Sequence, residues 1–134
     1  MSGTALRGDE AGTLWTATIR GEPTARRHMH EVVLTDGIAR LVRSRPARLW
    51  QNRAMTQLLN RRPPRPLAVE LALECRIWSM PAAGAIDEWL LVEVLERAAI
   101  IGSGRQIRER HLFATEEREA PRILLRLARL GGIA

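Results

Sequence analysis

The chain contains no lysine and no tyrosine, one phenylalanine and one cysteine in 134 residues. The single thiol, Cys75, cannot close an internal disulfide, and it excludes any zinc site built from several cysteines. No run of ~18 apolar residues is present, which excludes a transmembrane helix by length and hydrophobicity. The first ten residues lack the apolar stretch of a secretory signal, so a cytoplasmic location with no membrane partner is the expectation. Against these absences stands 46% apolar composition, enough for a packed core and too much for wholesale disorder.

With lysine missing, all 21 basic side chains are arginine. A GC-rich genome accounts for that choice, but the physical consequence is independent of its cause. Guanidinium forks stay charged and match phosphate geometry. Their distribution is uneven. Residues 1–66 hold 12 arginines against 5 acids, a net of +7, whereas residues 67–134 hold 9 against 10, a net of −1. A basic half beside a near-neutral half suggests an anionic partner on one side of the molecule, and nucleic acid is the first class to consider.

Small and polar residues fill positions 1–12, read as a disordered tail before a single domain over 13–130, with a short tail at 131–134. Residues 14–20 (LWTATIR) alternate apolar and polar side chains and predict a half-buried strand ended by Gly21 and Pro23. Apolar runs at 31–34 and 38–42 flank Asp36-Gly37, the strongest short-range hairpin signal. Ser44 and Pro46 suit a helix start, and Leu49, Trp50, Met55, Leu58 and Leu59 continue at near-helical spacing to Asn60. Residues 61–66 (RRPPRP) break that helix as a stiff cationic loop. The stretch 67–78 alternates and predicts a long strand with Leu67, Val69, Leu71, Leu73, Cys75 and Ile77 on one face. A loop at 81–84, a helix over 86–98, a turn at 102–104, a strand over 106–113, an acidic loop over 115–121 and a strand over 122–129 complete the chain. The order β-β-β-α-β-α-β-β predicts an α+β domain with a mixed or antiparallel sheet and two main helices.

Several segments, taken in order, resemble the RusA-type Holliday-junction resolvases, small and often phage-encoded DNA endonucleases of recombination and repair. The resemblance spans residues 14–128. Residues 19–23 (IRGEP) resemble the family's opening strand ending in Gly-x-Pro, followed by basic Arg26 and Arg27. Residues 45–51 (RPARLWQ) resemble the stretch in which an aromatic begins the first helix. Residues 92–95, 99–101 and 105–107 resemble the second helix and the Gln-containing segment after it. The resemblance implies a RusA-like fold, a homodimer and a DNA-facing arginine region. A heterodimer with a related active subunit is the other assembly it allows.

The chain departs from that family where its chemistry is done. The family holds magnesium with an Asp-x-Asp-Asn motif at the start of the second helix and an Asp-Asp pair beyond it, hard oxygen ligands suited to that ion. A gapless alignment puts Ala83-Gly84-Ala85-Ile86 on the first motif; a two-residue shift puts Ala85-Ile86-Asp87-Glu88 there. Ser103-Gly104 falls on the pair. Asp87 is the one aspartate that can correspond, and the family's helix lysine is missing. No cofactor is therefore expected, with magnesium needed only if cleavage survives.

Each candidate has a plain structural alternative. Asp87 and Glu88 at a helix start interact favourably with its dipole, or Asp87 is a vestigial ligand. Glu93 falls on the outward face and is expected to be solvated. His28 and His30 offer two nitrogens without a third ligand nearby. Ser103 has no His and Asp partners in a recognisable order. Trp50 and Trp89 are expected as core or interface anchors, and Trp78 as a surface residue able to stack on a base. Arg26, Arg27, Arg43, Arg45, Arg48, Arg53, Arg61, Arg62 and Arg65 form either a solvated charged face or a phosphate-binding one.

Three functions follow. The first is a RusA-like protein that binds branched DNA through its arginines, a pseudoenzyme that has lost metal-dependent cleavage. The second is a repurposed interaction factor docking through 115–119 or 61–66. The third is an active magnesium-dependent nuclease using Asp87, Glu88 and Glu74.

Overall fold

Alternation along the first strand, β1 (Thr13–Arg20), turns Trp15, Ala17 and Ile19 inward and leaves Thr16, Thr18 and Arg20 exposed. The computed structural model describes residues 12–24, 28–80 and 88–130. The expected tails fall outside these residues, Gly12 excepted.

Strands β2 (His30–Thr35) and β3 (Ile38–Arg43) form an antiparallel hairpin in full register, from His30 opposite Arg43 to Thr35 opposite Ile38. Asp36 and Gly37 at its tip both have positive φ, 53° and 79°, as a two-residue type I′ turn requires. Helix α1 (Arg45–Leu59) starts where expected. The Ser44 hydroxyl accepts from the Ala47 amide at 3.2 Å and donates to the His28 carbonyl at 2.6 Å. Ala47, Trp50, Gln51, Ala54 and Leu58 form its buried stripe.

Strand β4 (Leu71–Ser79) is followed by helix α2 (Glu88–Arg97), a short 3-10 turn at Gly104–Gln106, and strands β5 (Ile107–Glu116) and β6 (Arg122–Arg129). The sheet order is β1-β6-β4-β5. Both β6 neighbours are antiparallel to it, whereas β4 and β5 run parallel because α2 carries the chain back between them. The fold is α+β with a mixed sheet.

Two strand limits differ from expectation. Residues 67–70 do not extend β4. The Gln106 side-chain amide donates to the carbonyls of Leu67 and Val69 at 2.7 and 3.0 Å, capturing groups a ladder would need. Leu67 forms only a bridge to Ile101, and Val69 is exposed. Strand β5 runs on to Glu116, so Thr115 and Glu116 pair with Trp78 and Ser79 instead of opening the acidic loop.

The helices cover one sheet face. Leu71, Leu73, Cys75 and Ile77 of β4 and Ile123, Leu125 and Leu127 of β6 pack there with Leu58, Leu90, Leu91 and Leu95. Helix α2 ends with Ala99 in the left-handed region at φ 60°. The Ala99 amide donates to Glu96 O and the Ile100 amide to Leu95 O, both at 3.0 Å. This is the helix-stop pattern in which glycine is the usual residue.

Candidate nucleic-acid interface

Helix α1 is about 22 Å long at 1.5 Å per residue. Its buried stripe faces the sheet, so Arg45, Arg48 and Arg53 share the outward side with Leu49, Asn52 and Thr56. Arg61 and Arg62 extend the row past the helix end, and Arg65 follows among the prolines; all three are exposed. The loop is anchored from below, where the Trp15 indole N–H donates to the Arg61 carbonyl at 2.7 Å.

These arginines divide into engaged and free. Arg48 donates to the Arg43 carbonyl at 2.7 Å and lies 3.9 Å from Glu31. Arg43 pairs with Glu93 at 2.7 Å. Among the described residues, the guanidinium groups of Arg45, Arg53, Arg61, Arg62 and Arg65 meet no carboxylate. The first turn of α1 also holds no acid. Two cations there run against the helix dipole, a mild cost of about 0.3–1 kcal/mol each. Arg26 and Arg27, the other two expected contacts, lie outside the described residues, as does Asp87.

Arginines on the sheet are differently placed. Glu74 bridges Arg76, at 2.7 Å, and Arg126 on the face of β4 turned away from the helices. Arg126 also donates to Thr13 Oγ1 at 3.1 Å. Arg76 lies over the Phe113 ring at 4.6 Å, Arg110 over Trp89 at 5.3 Å and Arg122 over Trp78 at 4.3 Å. Arg108, Arg110 and Arg122 have carboxylate partners in Glu70, Glu88 and Glu117. Sequence spacing shows little of this network: Arg126 reaches Glu74 through the pairing of β4 with β6, and Arg110 of β5 reaches Glu88 of α2.

Three expectations change as a result. Glu93 is not simply solvated: its two oxygens accept from Arg43 and from the Gln51 amide at 2.9 Å, joining the hairpin base to both helices. Trp89 is not a core anchor, being 53% exposed beneath Arg110, while Trp50 is buried as expected. Trp78 is half-buried with one ring face taken by Arg122, which opposes base stacking on that side.

Among the described residues the carboxylates do not fit a magnesium site. Among the described residues no three metal-ligating side chains converge. Glu74, Glu88 and Glu93 are each matched to arginine, and an ion bound there would have to displace a guanidinium. His28 and His30 are both exposed and belong to no group of ligands. Ser103 caps the 3-10 turn, accepting from the Arg105 amide at 3.1 Å. Burial pushes the Cys75 thiol up to about 12, helped by the negative charges of Glu88 and Glu74, so it stays protonated and unreactive near neutral pH. Among the described residues the arginine row of α1 and its loop is accessible, charged and without a carboxylate partner, as are Arg20, Arg40, Arg97, Arg105, Arg118 and Arg129 elsewhere in the chain. No family model and no curated protein matches the chain.

Proposed function

We propose that the protein is a RusA-like DNA-binding protein that holds branched DNA by its phosphates, acts as a homodimer, and has given up metal-dependent cleavage. The observation that carries this reading is the division among the arginines. Arg76, Arg108, Arg110, Arg122 and Arg126 on the sheet have carboxylate or aromatic partners, whereas Arg45, Arg53, Arg61, Arg62 and Arg65 gather along one side with none among the described residues. Phosphates are the counter-charge that such a row accepts, and α1 with its loop holds it rigidly enough to follow a backbone.

Mechanistically, the row positions DNA without reading bases. Guanidinium forks bind phosphate oxygens in pairs and release condensed counterions. Engagement of Glu74, Glu88 and Glu93 by arginine supports the loss of cleavage. The proline-rich loop fixes Arg61, Arg62 and Arg65 at the far end of α1, so recognition follows the spacing of phosphates, as the shape of a junction supplies.

Fluorescence anisotropy with a labelled four-way junction and a matched duplex tests the reading over a salt series. Five free guanidinium groups predict a slope of about −4 to −5 in log K against log salt for each protomer engaged, with tighter binding to the junction. Equal affinities with a flat salt response refute it.

A further inference from the structure

The two edges of the four-stranded sheet end differently. At the Arg20 end of β1, the Gln57 side chain accepts from the Arg20 amide at 2.7 Å and donates to its carbonyl at 3.1 Å, so α1 closes that edge. Strand β5, at the other edge, pairs with β4 alone among the described residues. The Glu117 amide donates to the Ser79 carbonyl at 2.7 Å. Backbone groups alternate along a strand, so Glu109, His111, Phe113 and Thr115 turn theirs toward β4, and Arg110, Leu112 and Ala114 present theirs outward. Residues 112–115 carry neither charge nor proline and are all exposed. An edge of this kind is a template for a further strand.

We propose that β5 is a docking edge for an extended peptide of a partner protein, which adds antiparallel as a fifth strand with basic residues at its N-terminal end. The outward amides and carbonyls of Arg110, Leu112 and Ala114 supply the ladder. Leu112 pairs with Cys75 and so lies on the helix side of the sheet, where Trp89 of α2 is 53% exposed under Arg110. Phe113, 42% exposed, lies on the reverse side. An added strand therefore meets apolar surface on both faces.

Charge selects the occupant. At its C-terminal end β5 runs into an open concavity of about 510 Å³ lined by Glu116, Glu117, Arg118 and Glu119. Glu22 reaches the same end of the sheet, where it accepts from the Met80 amide at 3.0 Å. These four carboxylates face Arg118 and Arg122, and Arg122 is committed to Glu117. A basic peptide end suits the surplus, whereas a phosphate backbone is repelled by it. A second β5 suits it less, because Arg108 and Arg110, the cations it would bring, are held by Glu70 and Glu88. Antiparallel addition sets the N-terminal end of the peptide beside these carboxylates.

Titrating the full chain, without nucleic acid, into fluorescein-labelled Arg-Arg-Val-Thr-Val-Thr-Val tests the proposal independently of the DNA reading. Anisotropy should give a Kd of about 100 µM or tighter. The same peptide N-methylated at its three valines, whose amides face β5 when their side chains lie on the Trp89 side, should bind at least ~10-fold more weakly. Ala114→Pro removes an outward amide and no bond to β4, so it should weaken binding about 10-fold and keep the circular dichroism of the wild type. Glu116→Arg with Glu119→Arg should lose the basic peptide and take up Glu-Glu-Val-Thr-Val-Thr-Val instead. No binding at about 1 mM overturns the proposal, as does binding indifferent to N-methylation and to Ala114→Pro. Equal wild-type affinity for the basic and acidic peptides overturns the choice of a basic partner. A dimer in sedimentation that Ala114→Pro dissociates assigns the edge to a second copy and overturns peptide docking.

Discussion

Replacing Glu74 by alanine should be among the most damaging single changes to this fold. The side chain is 1% exposed and accepts from both Arg76 and Arg126, and the Arg126 side chain is itself 7% exposed. Alanine takes the Glu74 carboxylate away from the buried Arg126 guanidinium. Removing one member of a buried pair costs about 3–5 kcal/mol. Thr13 Oγ1 still accepts from Arg126, which places the loss near the lower figure. At about 3–5 °C per kcal/mol for a domain of this size, the melting temperature should fall by roughly 10–15 °C. Urea unfolding followed by circular dichroism measures the loss, and the paired change Glu74→Leu with Arg126→Leu should recover most of it. A loss under about 1 kcal/mol for Glu74→Ala would show that the network contributes little and refute the reasoning.

Two further outcomes follow from local geometry. Ala99→Gly should raise stability by about 0.5–1 kcal/mol, because Ala99 adopts φ 60° at the end of α2 and glycine does so without strain; thermal unfolding measures it. Cys75, with its proton retained to about pH 12 in the folded chain and released above 9.0 when unfolded, makes stability constant below pH 9 and lower as pH rises beyond it. Urea unfolding should show a fall of about 1.4 kcal/mol from pH 8 to pH 10 that is absent in Cys75→Ala.

What local chemistry dictates was readable in advance. Asp36-Gly37 specified the hairpin turn, Ser44 with Pro46 specified the start of α1, and alternation specified β1. Readings failed where a distant residue decides the outcome. The Gln106 amide, arriving from beyond α2, ends the strand character of 67–70. Arg43 and Gln51 convert Glu93 from a surface acid into a tie between elements. Glu74 occupies an alternating position that reads as solvent-facing, and only the pairing of β4 with β6 sets Arg126 beside it. The candidate interface was legible as a list of arginines but not as a surface. Which of them are free depends on where the acids fall in three dimensions. The exposure of β2, and of β3 as far as Leu41, was likewise hidden, since apolar runs beside a turn look the same whether or not the fold covers them.

On the proposed function, the arginines of α1 and its loop bind the polyanion, and the partnered Arg110 and Arg122 of the sheet do not. This division is tested most directly by comparing salt slopes of junction binding for two variants. Arg53→Ala, Arg61→Ala and Arg62→Ala together should reduce the slope by about 3 for each protomer engaged, with the unfolding midpoint unchanged. Arg110→Ala with Arg122→Ala should leave the slope as in the wild type. A triple variant that binds like the wild type, or a double variant that loses as much, would contradict the account.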